Sequence, residues 1–252
     1  MKNTLGVIPA RMASSRFPGK PLKKILNIPM LAHCYERALL SGVCDNLVIA
    51  TPDQEIIDWA TQFEIPSVLT SHSHKRATER AKETLDILTN DGLHYDLVLL
   101  LQGDEPQIFP EDIGNLKQAF SNNELEVVNL VFPLSDDGLE DPNVVKVALD
   151  KNLTIHFFTR SHIPHDCISG YRQLGMIGLT KKALNHYVSL PPTSLEEVES
   201  IDMMRLIEND FSIQGVLSTS PILGVDTQQD LKKVEKIMTN DKFVNLYKEK
   251  YI

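Results

Sequence analysis

The chain has 252 residues, with 25 Lys and Arg against 34 Asp and Glu, a formal charge of −9 at neutral pH. Hydrophobic residues make up 42% and charged residues 23%, ordinary globular usage that excludes a disordered chain. The acidic balance argues against a general nucleic-acid binder, which needs a basic face, but is compatible with one nucleotide in a locally basic pocket. No apolar run approaches the ~18 residues of a membrane span. The apolar stretch after Met1-Lys2-Asn3-Thr4 is interrupted at once by Pro9 and Arg11. It therefore makes no signal-peptide core, and a cytoplasmic location is expected. Cys34, Cys44 and Cys167 are odd in number and far apart, which argues against a disulfide framework or a cysteine zinc site.

In chain order, apolar runs predict buried strands at 5–9, 46–51, 97–101, 127–132 and 216–218. Helical periods lie at 28–40, 54–63 and 78–88, between or beside the first three strands. Strand alternating with helix predicts βαβ units and a parallel sheet covered on both faces. The second half changes character. Segments 143–150 and 154–159 predict an antiparallel pair around Asp150-Lys151-Asn152. Residues 193–209 predict one helix, capped by Thr193 or Ser194 with Glu196 and Glu197 in its first turn. A helix is expected at 228–238 and an amphipathic one at 242–252, docked on its own domain. The expected fold class is α/β, a Rossmann-like mixed, mostly parallel sheet flanked by helices. A single domain of residues 1–252 would carry a smaller antiparallel and helical lobe inserted at about 135–215.

Three segments bear chemistry. The run Val7-Ile8-Pro9-Ala10-Arg11-Met12-Ala13-Ser14-Ser15-Arg16-Phe17-Pro18-Gly19-Lys20-Pro21-Leu22 follows a strand and precedes a helix. Its small residues let backbone approach a ligand, and Arg11, Arg16 and Lys20 offer fixed cations, which together suit a polyphosphate. It is no Walker A loop, and from spacing alone a basic surface turn would look the same. In Leu100-Leu101-Gln102-Gly103-Asp104-Glu105-Pro106, an apolar strand delivers Asp104 to the carboxyl edge of the sheet. There it is either a magnesium ligand or a turn aspartate. In Gly224-Val225-Asp226-Thr227, Asp226 or Thr227 caps the following helix. Asp226 joins a metal site only if the fold returns it beside Asp104. Among smaller features, Arg160 suits a bidentate carboxylate contact or a surface position. His72 and His74 fit a polar loop, Trp59 fits a core, and Pro164 prevents a helical ligand pair from His162 and His165.

Taken together, Ile8-Pro9-Ala10-Arg11 through Phe17-Pro18-Gly19-Lys20-Pro21-Leu22, Ala50-Thr51-Pro52-Asp53, Leu101-Gln102-Gly103-Asp104-Glu105-Pro106, Phe158-Thr159-Arg160-Ser161-His162-Ile163-Pro164 and Gly224-Val225-Asp226-Thr227 resemble, in order and nearly end to end, the 3-deoxy-D-manno-octulosonate (Kdo) cytidylyltransferase family. The resemblance implies a nucleotidyltransferase A-type fold and transfer of CMP from CTP to the anomeric hydroxyl of a 2-keto-3-deoxy sugar acid, for lipopolysaccharide or other surface-glycan synthesis. It implies catalytic roles for Arg11, Lys20, Asp104 and Asp226, with Mg2+ on Asp104 and Asp226. Pro9, Ala10, Arg11, Ser14, Lys20, Arg80 and Gln102 would hold CTP. Gln102, Arg160, Gln173, Asp202 and Met203 would hold the acceptor, and the small lobe would form a homodimer.

Departures from the family pattern concentrate at acceptor positions. Arg76-Ala77 replaces the usual Ser-Gly before Thr78-Glu79-Arg80. Gln173-Leu174-Gly175-Met176-Ile177-Gly178-Leu179 replaces His-x-Gly-x-Tyr-x-Tyr, and Asp202-Met203 replaces a Glu-Gln pair. Lost hydrogen-bonding groups penalise the original hydroxyl pattern, so nucleotide activation is expected to be retained while the acceptor, within the class of Kdo and its close variants, is expected to depart from ordinary Kdo. Two alternatives remain: a cytidylyltransferase for another small acid, such as a nonulosonate-type sugar or a phosphonate, and a non-catalytic nucleotide-binding homologue.

Overall fold

The apolar run predicted at 5–9 is strand β1 (Thr4–Pro9) in the computed structural model, which describes residues 2–13 and 16–252. The chain divides into two units, one of residues up to 114 together with 222–252, the other of 115–221. The first unit continues through a hairpin of β2 (Lys24–Ile25) and β3 (Ile28–Pro29). Leu26 and Asn27 at its tip both have positive φ, 51° and 67°, as a two-residue turn matched to strand twist requires. Helix α1 (Met30–Leu40) therefore starts two residues later than predicted, with Pro29 at its N-cap. Then come β4 (Asn46–Thr51), α2 (Gln54–Gln62), β5 (Ser67–Leu69), α3 (Ala77–Asn90) and β6 (Leu97–Leu101), and the division at 114 falls within α4 (Pro110–Ala119).

Within this unit the strands run β5-β4-β1-β6, all parallel. Every residue of β6 is buried, as a strand covered on both faces demands. Parallel pairing puts the carboxyl ends of β1, β4 and β6 on one edge, where open α/β sheets bind ligands.

The second unit holds β7 (Val127–Ser135), α5 (Asp136–Leu139), β8 (Lys146–Leu149), β9 (Thr154–Thr159), β10 (Ser169–Thr180), α6 (Lys181–Ser189), α7 (Ser194–Glu199), α8 (Met204–Ile207) and β11 (Ile213–Leu217). The predicted pair β8 and β9 is antiparallel. Among the described pairings here only β11 with β7 is parallel, so parallel order belongs mainly to the first unit. The single helix predicted at 193–209 is two, broken at Ser200 in the left-handed region (φ 58°). The cause is a fully buried bidentate pair: Arg205 Nε and Nη2 meet Glu196 Oε2 and Oε1 at 2.6 and 2.7 Å. In an unbroken helix nine residues span about 13.5 Å, so the chain must fold back to make this contact.

The chain re-enters the first unit at Ile222 and forms α9 (Gln228–Met238). Residues 242–252 form two short 3-10 turns rather than the predicted amphipathic helix. Tyr247 Oη bonds His33 Nδ1 at 2.7 Å, and Lys250 and Tyr251 reach Glu36 at 2.9 and 2.5 Å. Val244 and Lys250 lie in the two separate turns, and Tyr247 joins them with a φ of −134°. Val244 and Tyr247 share a core with Ile25, Ile28 and Met30. Among the described residues no helix is long and apolar enough to cross a membrane.

Candidate functional site: a basic cleft with two aspartates

The loop after β1 is fixed by backbone polar groups. Ala10 N–H donates to Ala50 O at 2.9 Å, Met12 N–H to Asp53 Oδ2 at 2.7 Å, and Gly19 N–H to Met12 O at 3.0 Å. Gly19 has φ 70°, a conformation that penalises a side chain, and its turn leads into a 3-10 helix at Lys20–Leu22. Lys20 is thereby aimed inward, its side chain 12% exposed.

β6 approaches from beside β1. A Cβ built on Gly103 would lie 2.9 Å from Pro9 O, so only glycine lets the two strand ends come this close. Asp104 follows directly. The third segment docks on it: Val225 N–H donates to Asp104 O at 2.9 Å. Thr227 caps α9, its hydroxyl accepting from Asp230 N–H at 3.2 Å. That resolves which residue caps and leaves the Asp226 carboxylate for the cleft.

The three segments meet at one ammonium. Lys20 Nζ lies 2.8 Å from Asp104 Oδ2 and 3.2 Å from Asp226 Oδ1, and Arg16 Nη2 lies 3.3 Å from the same Asp226 oxygen. Burial acts to lower the Lys20 pKa, but the two carboxylates outweigh it and hold the group above the usual lysine value. The opposite wall is the amino end of α3. Arg80 is buried, and its Nη1 donates to Thr70 Oγ1 and, at 3.2 Å, to Ser71 O. Desolvation, then repulsion from Arg11, lowers its pKa, while Glu83 and Asp53 act in the opposite direction.

The cleft is about 290 Å³. Among the described residues its lining has six cationic side chains, Arg11, Arg16, Lys20, Lys75, Arg76 and Arg80, against the two aspartates. Pro9, Ala10 and Gln102 also line it; Ser14 lies outside the described residues. His74, expected in a polar loop, lines it too, its Nε2 2.6 Å from Glu83 Oε2. The sequence reading missed His74 and Lys75 here; four polar or basic residues just before the helix start were the available signal.

The remaining expected site residues belong to the second unit. Arg160 Nε and Nη1 donate to Glu199 O and Pro142 O at 3.0 and 3.1 Å. Gln173 Nε2 donates to Asn129 Oδ1 at 2.6 Å, and Asn129 Nδ2 in turn satisfies Leu174 O and Met176 O at a break in the β10–β7 register. Asp202 is half-buried and Met203 is fully buried.

A family model described as cytidylyltransferase matches residues 5–216, so the chain is an enzyme of the nucleotidyltransferase class. The 3-deoxy-manno-octulosonate cytidylyltransferase of Thermodesulfovibrio yellowstonii is 36% identical over 249 residues, covering 93% of this chain and 98% of that protein. Its namesake from Acidobacterium capsulatum is 35% identical over 245 residues, covering 95% and 98%. A solved structure of CMP:2-keto-3-deoxy-manno-octonic acid synthetase complexed with CTP matches with a TM-score of 0.85 at 32% identity, covering 95% of this chain and 99% of that one. The chain belongs to the 3-deoxy-manno-octulosonate cytidylyltransferase family.

Proposed function

We propose that this enzyme transfers CMP from CTP to the anomeric hydroxyl of 3-deoxy-manno-octulosonate or a close variant and releases pyrophosphate. The supporting observation is the convergence of Lys20, Asp104 and Asp226 in one basic cleft at the carboxyl edge of a parallel sheet. The acceptor oxygen attacks the α-phosphorus as the bond to the β-phosphate oxygen breaks. Arg11, Lys20 and Arg80 neutralise the triphosphate and the departing pyrophosphate. Pro9, Ala10 and the small residues after them, Ser14 included, let the loop backbone approach the nucleotide, and Gln102 contacts nucleotide and acceptor. Acceleration comes mainly from positioning and preset charge.

Two aspartates already sharing one cation are hard oxygen donors of the kind Mg2+ takes in pairs, phosphates and water completing its shell, so the donor set fits that ion. Asp104 and Asp226 would hold Mg2+, which when bound supplies positive charge to the phosphates and lowers the pKa of an attacking hydroxyl.

Recognition of the acceptor falls to Arg160, Gln173, Asp202 and Met203, beside Gln102. A cytoplasmic homodimer belongs to the same reading. Pyrophosphate release, screened over four nucleoside triphosphates crossed with a set of 2-keto sugar acids, tests it. CTP with 3-deoxy-manno-octulosonate or one near analogue is expected to give the highest rate. Absence of turnover with every pair would reject it.

A further inference from the structure

We infer that Lys20 is an internal counter-cation: its ammonium holds Asp104 and Asp226 together in the nucleotide-free enzyme and must leave them for the triphosphate before the pair accepts a divalent cation. The inference rests on the proposed metal role of the two aspartates and adds an order of events to it.

Two carboxylates brought to one point repel unless a cation lies between them. Here that cation is a lysine whose ammonium has three donors and no directional fork, so it can serve two carboxylates at once, at 2.8 and 3.2 Å. Arg16 also meets Asp226, but its side chain is 51% exposed and that of Lys20 only 12%, so Lys20 is the held partner. The Lys20 backbone is fixed at both ends, by Lys20 N–H to Phe17 O at 3.2 Å and by Lys23 N–H to Lys20 O at 3.1 Å. Only the four-carbon side chain is left to swing.

A divalent ion arriving alone must displace or tolerate a positive charge already at its ligands. A triphosphate arriving first offers the ammonium new oxygens and frees the carboxylates. Nucleotide therefore raises cation affinity by drawing Lys20 away, in addition to any direct chelation. Lys20→Met keeps an unbranched side chain without the charge; Lys20→Arg keeps the charge.

The test is Mn2+ titration of the full chain without nucleotide, read by the electron paramagnetic resonance signal of the free ion. It is run for wild type, Lys20→Met, Lys20→Arg and Asp104→Asn, then repeated with CTP. Lys20→Met is expected to tighten nucleotide-free Mn2+ binding on the order of tenfold, while Lys20→Arg stays as weak as wild type. Thermal unfolding gives a second readout, because Mn2+ should raise the melting temperature of Lys20→Met more than that of wild type. If Lys20→Met binds Mn2+ no more tightly than wild type, while CTP-loaded wild type binds it and Asp104→Asn does not, the counter-cation role is overturned and the metal site stands. If wild type binds no Mn2+ even with CTP, both are overturned.

Discussion

Replacing Gly103 by alanine tests how closely the strand ends that carry the cleft must approach. The new methyl would lie 2.9 Å from Pro9 O, 3.2 Å from Leu31 Cδ1 and 3.4 Å from Ile8 Cγ2. The first of these is backbone and cannot rotate away, so β1 and β6 must part by roughly 0.3–0.5 Å at their ends to restore ordinary contact. Pro9 leads into the loop that carries Lys20, and Gly103 precedes Asp104, so the displacement falls on the 2.8 Å contact between them. Overpacking of this kind costs about 1–3 kcal/mol of stability. A 1 Å misplacement costs about 100-fold in rate, so a few tenths of an ångström should cost about 3–10-fold in kcat. The comparison is Gly114→Ala in α4, whose added methyl meets nothing within 4 Å. That variant should gain up to about 1 kcal/mol of helix propensity and keep its turnover. Pyrophosphate release at saturating substrates and thermal unfolding by circular dichroism read both effects. Wild-type rate and melting temperature in Gly103→Ala would refute the close-approach argument.

Arg205→Ala should destabilise by about 3–5 kcal/mol in urea unfolding, because it leaves the fully buried Glu196 carboxylate without its bidentate partner; a loss below about 1 kcal/mol would show the pair is dispensable. His33 is buried, and burial, with Arg37 adding to it, lowers its pKa to about 4, against an unfolded value of about 6.5. Between those values the unfolded chain takes a proton that the folded one refuses, so stability falls as pH drops from about 6.5 to 4 and is unaffected by this group above that range. His33→Gln should remove roughly 2 kcal/mol of the difference in unfolding free energy between pH 7 and pH 5, and equal differences in the two proteins would contradict it.

Strands β1, β4 and β6 were legible because parallel strands buried on both faces are unbroken apolar runs closed by Pro9, by Pro52 and by Gln102-Gly103. β10 was not legible as one strand. Gly170, Gly175 and Gly178 dilute its pattern, and the register break between Gln173 and Ile177 is filled by Asn129 from another strand. The break at Ser200 was hidden for a similar reason, since the Glu196–Arg205 contact that forces it is tertiary while the local periodicity is helical throughout. The second unit, residues 115–221, includes β7, which reads in sequence like any buried strand of the first unit but pairs with β10 and β11. In the cleft, residue type nominated Lys20, Asp104 and Asp226, but their meeting depends on Val225 N–H reaching Asp104 O and on Thr227 taking the cap. The cap could be narrowed in sequence only to Asp226 or Thr227, and the Val225–Asp104 bond, between segments 121 residues apart, leaves no trace in local sequence.

The most direct measurement is kcat for pyrophosphate release from CTP with 3-deoxy-manno-octulosonate in Asp104→Asn and Asp226→Asn, beside melting temperature and CTP affinity. Both variants keep side-chain size and should stay folded and retain most CTP binding, while kcat falls on the order of 100-fold or more. Turnover within about twofold of wild type in either variant would contradict the claim that the two carboxylates brought together on Lys20 form the catalytic centre.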